Sequence, residues 1–199
     1  MSLGRVVVLF SGDGTNLSNI IETLHKTKKI DIVATISNKP NVKGVAIAQK
    51  AHIPVEIIEH TNFKSREEFD ATLVKTIQNY RPDLTVLAGF MRILTPIFTS
   101  SIKAINLHPS LLPLFKGANA LEKSFNSGMR KGGVSVHWVE QELDGGSIIV
   151  QEEVEIKNSD SLEEFAERIH NLEYKLLPQT IIKVLYDINA QNKGDTDER

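Results

Sequence analysis

Cysteine is absent from all 199 residues, which excludes disulfides, thiolate-held metals and a cysteine nucleophile, and fits a reducing compartment. Long apolar runs are absent too. The longest near the start, Val6 to Phe10, falls far short of the ~20 residues of a membrane span, and no small-residue cleavage site follows it as in a signal peptide. A cytoplasmic protein without a membrane partner is expected. Neither charge dominates: 23 Lys+Arg stand against 25 Asp+Glu, a net charge of −2. That argues against a nucleic-acid partner or an anionic-lipid surface. Only 12 Gly and 7 Pro occur, too scattered for low complexity. What remains, 41% hydrophobic and 24% charged residues, suits one folded domain, expected over residues 1–189. Residues 190–199 are polar, with four charged groups among the last five, and are expected to be disordered.

Val6 to Phe10 reads as a strand buried on both faces, running into Ser11-Gly12-Asp13-Gly14-Thr15-Asn16. Leu17, Ile20, Ile21 and Leu24 then recur at helical spacing, with Thr15 or Asn16 as the cap. The pattern repeats as strand Ile32 to Ile36, helix Val45 to Ala51, strand Val55 to Ile58, helix Arg66 to Asn79 and strand Leu84 to Ala88. Such alternation predicts an α/β fold: a Rossmann-like, mostly parallel twisted sheet with helices on both faces. Three further strands are expected at Ala104 to Leu107, Val134 to Val139 and Ile148 to Val154, and a closing helix from about Ser161 to Asn189 bent at Pro178.

Gly12-x-Gly14 lies between a strand and a helix, where unbonded helix N–H groups form an anion site. It lacks the third glycine and the acidic ribose ligand of a dinucleotide fingerprint and the lysine of a P-loop. A phosphate monoester fits better, although a tight turn alone needs the same glycines. Asp13 must then point away from the phosphate. Asn106 and His108, at i and i+2 on one strand, project from the same face at its carboxyl end, where open α/β sheets place ligands. Imidazole there also serves structure by satisfying buried backbone groups. Asp144 precedes two glycines, an ordinary turn, but the strand before it carries Ser135 and His137 on one face. If that loop meets the end of Ala104 to Leu107, an Asp–His pair results, and a nearby carboxylate raises a histidine pKa. The six histidines show neither HxxxH nor HxH spacing, so no metal is expected. Glu173 falls inside the apolar stripe of Phe165, Ala166, Ile169 and Leu176, and a carboxylate there needs a partner, either structural or a polar ligand. Arg66 opens a helix, and Arg92 lies in the loop leaving a central strand toward the expected crevice.

Four stretches then occur together: Ser11-Gly12-x-Gly14-Thr15-Asn16, Ala88-Gly89-Phe90-Met91-Arg92-Ile93-Leu94, Asn106-Leu107-His108-Pro109-Ser110-Leu111-Leu112-Pro113 and Leu143-Asp144-Gly145-Gly146. In order and spacing the chain resembles the glycinamide ribonucleotide transformylases from about residue 5 to 180. The resemblance implies formyl transfer from 10-formyltetrahydrofolate, a co-substrate, to the amine of 5′-phosphoribosylglycinamide, a step of purine biosynthesis. It implies Asn106, His108 and Asp144 as catalytic residues: Asn106 and protonated His108 stabilise the oxyanion of a tetrahedral intermediate, while Asp144 keeps the imidazole charged and aids proton transfer. Gly14, Thr15 and Asn16 with His170, Asn171, Leu172 and Glu173 are implied to hold the ribonucleotide. Arg66, Met91, Arg92, Ile93, Leu94, Asn106 and the stretch Glu140, Gln141 to Asp144 are implied to hold the folate. Asn119 stands where many members carry histidine and Gln141 where an acidic residue is common, departures that bear on affinity rather than on the reaction.

Three alternatives are weighed. A formyltetrahydrofolate hydrolase carries an N-terminal regulatory domain, which a first strand beginning at Arg5 does not lead one to expect. A tRNA-directed formyltransferase carries a basic C-terminal RNA-binding domain, unlike the acidic end of this chain. A non-catalytic nucleotide-binding module leaves Asn106, His108 and Asp144 without a reason to occur together. The partners expected are therefore small molecules, with a monomer or homodimer as the assembly.

Overall fold

The computed structural model describes residues 3–197, with side chains through residue 191. Its centre is a seven-stranded sheet: β1 (Gly4–Phe10), β2 (Ile30–Ser37), β3 (Val55–Ile57), β4 (Leu84–Leu87), β5 (Ala104–His108), β6 (Lys131–Trp138) and β7 (Ile148–Glu155). The strand order is β3-β2-β1-β4-β5-β6-β7. The first five strands pair in parallel, whereas β5 with β6 and β6 with β7 are antiparallel.

Burial explains the arrangement. From Val6 to Phe10 every side chain of β1 is fully buried, which requires cover on both faces and makes β1 central. Alternate residues feed two cores. Val6, Val8 and Phe10 join Leu17, Ile20, Ala48, Phe165 and Ile169, from α1 (Thr15–Ile20), α2 (Lys43–Lys50) and the closing helix. Val7 and Leu9 join Phe69, Leu73, Ile77 and Phe98, from α3 (Arg66–Asn79) and α4 (Pro96–Thr99) on the opposite face. Strand β7 forms the edge and alternates exposed and half-buried residues, with Glu153 and Glu155 outward; charge on an edge discourages pairing with another chain.

The chain first winds outward from β1 to β3 and then returns to β4, on the other side of β1. This reversal opens a crevice at the carboxyl ends of β1 and β4, the place where open α/β sheets bind ligands.

Several local expectations change. Helix α1 starts at Thr15 behind a Gly14 cap rather than behind a Thr15 or Asn16 cap, with Gly14 at φ 71° and no side-chain cap bond. A Cβ on Gly14 would lie 2.6 Å from the Gly44 Cα of α2, so the close approach of α2 dictates glycine. Beyond Ile20 the helix widens into a π turn, Ile21–His25, still burying Ile21 and Leu24. Helices α4 and α5 (Ala120–Phe125) are too short to show a period in sequence. The closing helix α6 (Leu162–Asp197) passes Asn189 and keeps Pro178 inside it. Its backbone continues as helix to Asp197, into the stretch expected as a polar tail. Residues 198 and 199 lie outside the described residues. No helix among the described residues is long and apolar enough to cross a membrane.

Candidate active site

The site grows from the pairing of β5 with β6. Asn106 lies opposite His137 and His108 opposite Ser135, so all four side chains share one face of the sheet. The following loop turns back at Asp144, whose φ of 48° is tolerable for aspartate. Gly146 makes the return possible: a Cβ there would sit 1.9 Å from the Trp138 carbonyl oxygen. Asp144 thereby comes within 3.5 Å of His108 Nδ1 through Oδ2, and within 3.5 Å of His137 Nε2 through Oδ1.

Hydrogen bonds fix this cluster on every side. Asn106 Nδ2 donates to Asp144 Oδ1 at 3.3 Å and lies 3.1 Å from His137 Nε2. The Gly117 N–H donates to Asp144 Oδ2 at 2.8 Å. His108 Nε2 is 2.9 Å from the Phe115 carbonyl and His137 Nδ1 is 2.8 Å from that of Trp138; since a carbonyl only accepts, both nitrogens donate. His108 thus turns Nδ1 toward Asp144. All three ionisable groups are buried, with Asp144 9% exposed. Burial alone raises the Asp144 carboxyl, but the groups around it, the Gly117 N–H and the His108 imidazole among them, outweigh it and hold it below its ordinary 3.8.

The cleft above this floor has a volume of about 480 Å³, within the range of small-molecule sites. At one end Glu173, 5% exposed, accepts from Asn16 Nδ2 at 3.1 Å and pairs with His170 Nδ1 at 3.0 Å. The bond to Glu173 raises the His170 pKa above 6.5 against the opposing effect of burial. Asn16 Oδ1 is buried without a partner, an acceptor left for a ligand beside a carboxylate. At the other end the walls are apolar and open: Met91, Ile93 and Leu143 are exposed. Arg92 extends over the Phe69 ring, 5.6 Å from its centroid, with Nε unpartnered. Its loop is tied down at both ends, by Met91 N–H donating to Ser11 Oγ at 2.8 Å and by Thr95 donating to the buried Asp70.

Thr15, Asn16, His170, Glu173, Met91 to Leu94, Asn106, His108 and Glu140 to Asp144 all line this one cleft. Other expected residues do not. Arg66 is exposed at the start of α3 and is not among the lining residues. Asn171 is exposed and Leu172 packs against the core, because one and two steps along a helix rotate a side chain off the face shared by 170 and 173. Gly14 shapes the loop without lining the cleft. Asp13 points outward to Lys43, 3.4 Å away. Asn119 does line the cleft, and at φ 59° it caps α5 in the left-handed region that asparagine tolerates. Sequence reasoning misses His137, the Gly117 N–H and the Phe115 carbonyl; the only signal is His137 two residues from Ser135. Among the described residues no group of three or more His, Asp or Glu is placed to hold a metal ion.

The family profile described as formyl transferase matches residues 4–181. The trifunctional purine biosynthetic protein adenosine-3 of Gallus gallus is 42% identical over 180 residues, 89% of this chain but 18% of that protein. The chain therefore spans less than a fifth of the length of that relative. The phosphoribosylglycinamide formyltransferase of Haemophilus influenzae is 39% identical, covering 89% of this chain and 85% of that one. A crystal structure of phosphoribosylglycinamide formyltransferase from Campylobacter jejuni superposes with a TM-score of 0.89 at 52% identity, covering 92% and 97% of the two chains. With residues 4–181, and so all seven strands of the sheet, matched by that profile, the chain belongs to the formyl transferase family.

Proposed function

We propose that this chain transfers the formyl group of 10-formyltetrahydrofolate to the amine of 5′-phosphoribosylglycinamide, as a cytoplasmic enzyme of purine biosynthesis folded as one domain over residues 1–189. The observation that carries this reading is Asp144 joined to Asn106, His108 and His137 on the floor of one cleft. The two ends of that cleft differ as the two substrates do. The unpartnered Asn16 Oδ1 and the buried Glu173 suit the hydroxyl and amine groups of a ribonucleotide. The apolar walls at Met91, Ile93 and Leu143 suit a flat ring system.

The amine nitrogen adds to the formyl carbon and the carbonyl oxygen takes up negative charge. His108 meets it with an Nδ1–H, which requires the doubly protonated ring, because its Nε2–H is held by the Phe115 carbonyl. Asn106 Nδ2 meets it by exchanging the long 3.3 Å contact to Asp144 for the new oxyanion. Asp144, ionised because its carboxyl is held low, accepts the proton that the attacking amine must lose. The bond from the formyl carbon to the folate nitrogen then breaks as that nitrogen gains the proton that Asp144 has taken up, which returns Asp144 to its ionised form. No metal is required for these steps.

One assay tests the reading. Folate release measured with the ribonucleotide and with water as acceptor should be far faster with the ribonucleotide. His108→Ala should keep ribonucleotide binding by calorimetry while losing most turnover. Release that ignores the ribonucleotide would assign a hydrolase instead.

A further inference from the structure

We infer that His137 is a positioning residue that orients the Asn106 amide so that its NH2, rather than its carbonyl oxygen, faces the reacting atoms. His137 is 2% exposed, and its Nδ1 lies 2.8 Å from the carbonyl of Trp138, the next residue along β6. Only an N–H satisfies that carbonyl, so a ring proton sits on Nδ1, which leaves Nε2 to serve as the acceptor.

Two groups compete for Nε2: Asn106 Nδ2 at 3.1 Å and Asp144 Oδ1 at 3.5 Å. A bare Nε2 accepts from the amide and cannot donate to the carboxylate, and the shorter contact is the one to the amide. The Asn106 amide therefore turns Nδ2 toward two acceptors at once. Its first hydrogen belongs to His137 and its second to Asp144 or to an oxygen that replaces Asp144. Turning the amide over would set its carbonyl oxygen against both a lone pair and a carboxylate. Antiparallel pairing holds the arrangement rigid, because Asn106 and His137 are opposed across β5 and β6.

This inference rests on the formyl-transfer reading, and the test separates the two. Glutamine at 137 keeps an acceptor near the Nε2 position, whereas asparagine keeps only the reach of Nδ1 to the Trp138 carbonyl. His137→Asn should lower kcat roughly 10- to 100-fold with both KM values nearly unchanged, and His137→Gln should restore most of that loss. In an Asn106→Ala background His137→Asn should cost little more, because its effect passes through the missing amide. Equal kcat in the two variants, or full additivity with Asn106→Ala, would overturn the role of His137 while leaving formyl transfer intact. Absence of transfer by the unaltered protein would instead remove the reaction. A nitrogen-15 spectrum of the unaltered protein decides the point without any variant: Nδ1 protonated and Nε2 bare is expected, and a protonated Nε2 at neutral pH refutes the inference.

Discussion

The floor and the rim of the cleft are built on opposite principles. On the floor, Asn106, His108 and His137 stand on paired strands, each with a hydrogen bond inside the protein, and Asp144 is locked by the Gly117 N–H and the Asn106 amide. On the rim, Met91 is 70% and Ile93 53% exposed, on a loop tied only at its ends. Electrostatic stabilisation works when donors are fixed before charge develops, so the floor is rigid where the reaction needs rigidity. Apolar recognition tolerates adjustment, so the rim can be loose. The same family resemblance covers both regions, yet only the floor has a geometry that dictates a chemical step.

Replacing a floor residue should therefore strike kcat, and this is the largest effect expected. Asp144→Asn keeps a residue that tolerates φ 48° and can still accept from Gly117. It loses the charge and, with its oxygen on Gly117, sets an amide nitrogen against the Asn106 donor. A fall of ~10²–10⁴ in kcat, with both KM values changed far less, is expected from steady-state kinetics; a loss confined to KM would show the floor to be a binding surface. The substitution also alters pH stability. The Asp144 pKa is lowered on folding, so its ionised form stabilises the protein above the unfolded value and that contribution disappears as pH falls through the folded value. Asp144→Asn should accordingly flatten the acid limb of the stability profile.

On the rim the expected outcome is smaller and of the other kind. Ile93→Ser removes part of an exposed apolar wall that no interior group depends on. It should raise KM for the folate roughly three- to tenfold, the scale of a partly buried side chain, with kcat and the KM for the ribonucleotide unchanged. A drop in kcat equal to that of a floor variant would erase the distinction between the two regions.

What is legible in the amino-acid sequence divides along the same line. The continuous apolar run of β1 and the i, i+2 spacing of Asn106 and His108 are local signals, and local patterns survive folding. Asp144 reads as a turn residue and gains interest only beside His137. That His137 faces Asn106 depends on β6 pairing antiparallel with β5 in one register, a tertiary choice with no period in the sequence. Asn171 and Leu172 rest on resemblance alone, as does a folate role for Arg66, and none of the three is among the residues that line the cleft. On a helix, residues one step from a site residue lie on another face, and motif reading does not see that.

The smallest effect separates the ribonucleotide end from both other regions. His170 and Glu173 lie at i and i+3 on α6 with 3.0 Å between Nδ1 and Oε2, the histidine side chain 48% exposed and the glutamate buried. The His170 pKa is raised from 6.5 by that bond, so the folded protein holds the proton more tightly than the unfolded chain. The stabilisation is complete below about pH 6.5 and is lost as pH rises through the elevated folded value. Water screens a half-exposed pair, which limits the effect to at most about 1 kcal/mol. The melting temperature of the unaltered protein minus that of His170→Gln should be positive near pH 6 and close to zero near pH 9. A difference that grows with pH would mean that neutral rather than charged His170 is the form favoured by Glu173, and would leave the buried carboxylate to be balanced by Asn16 alone.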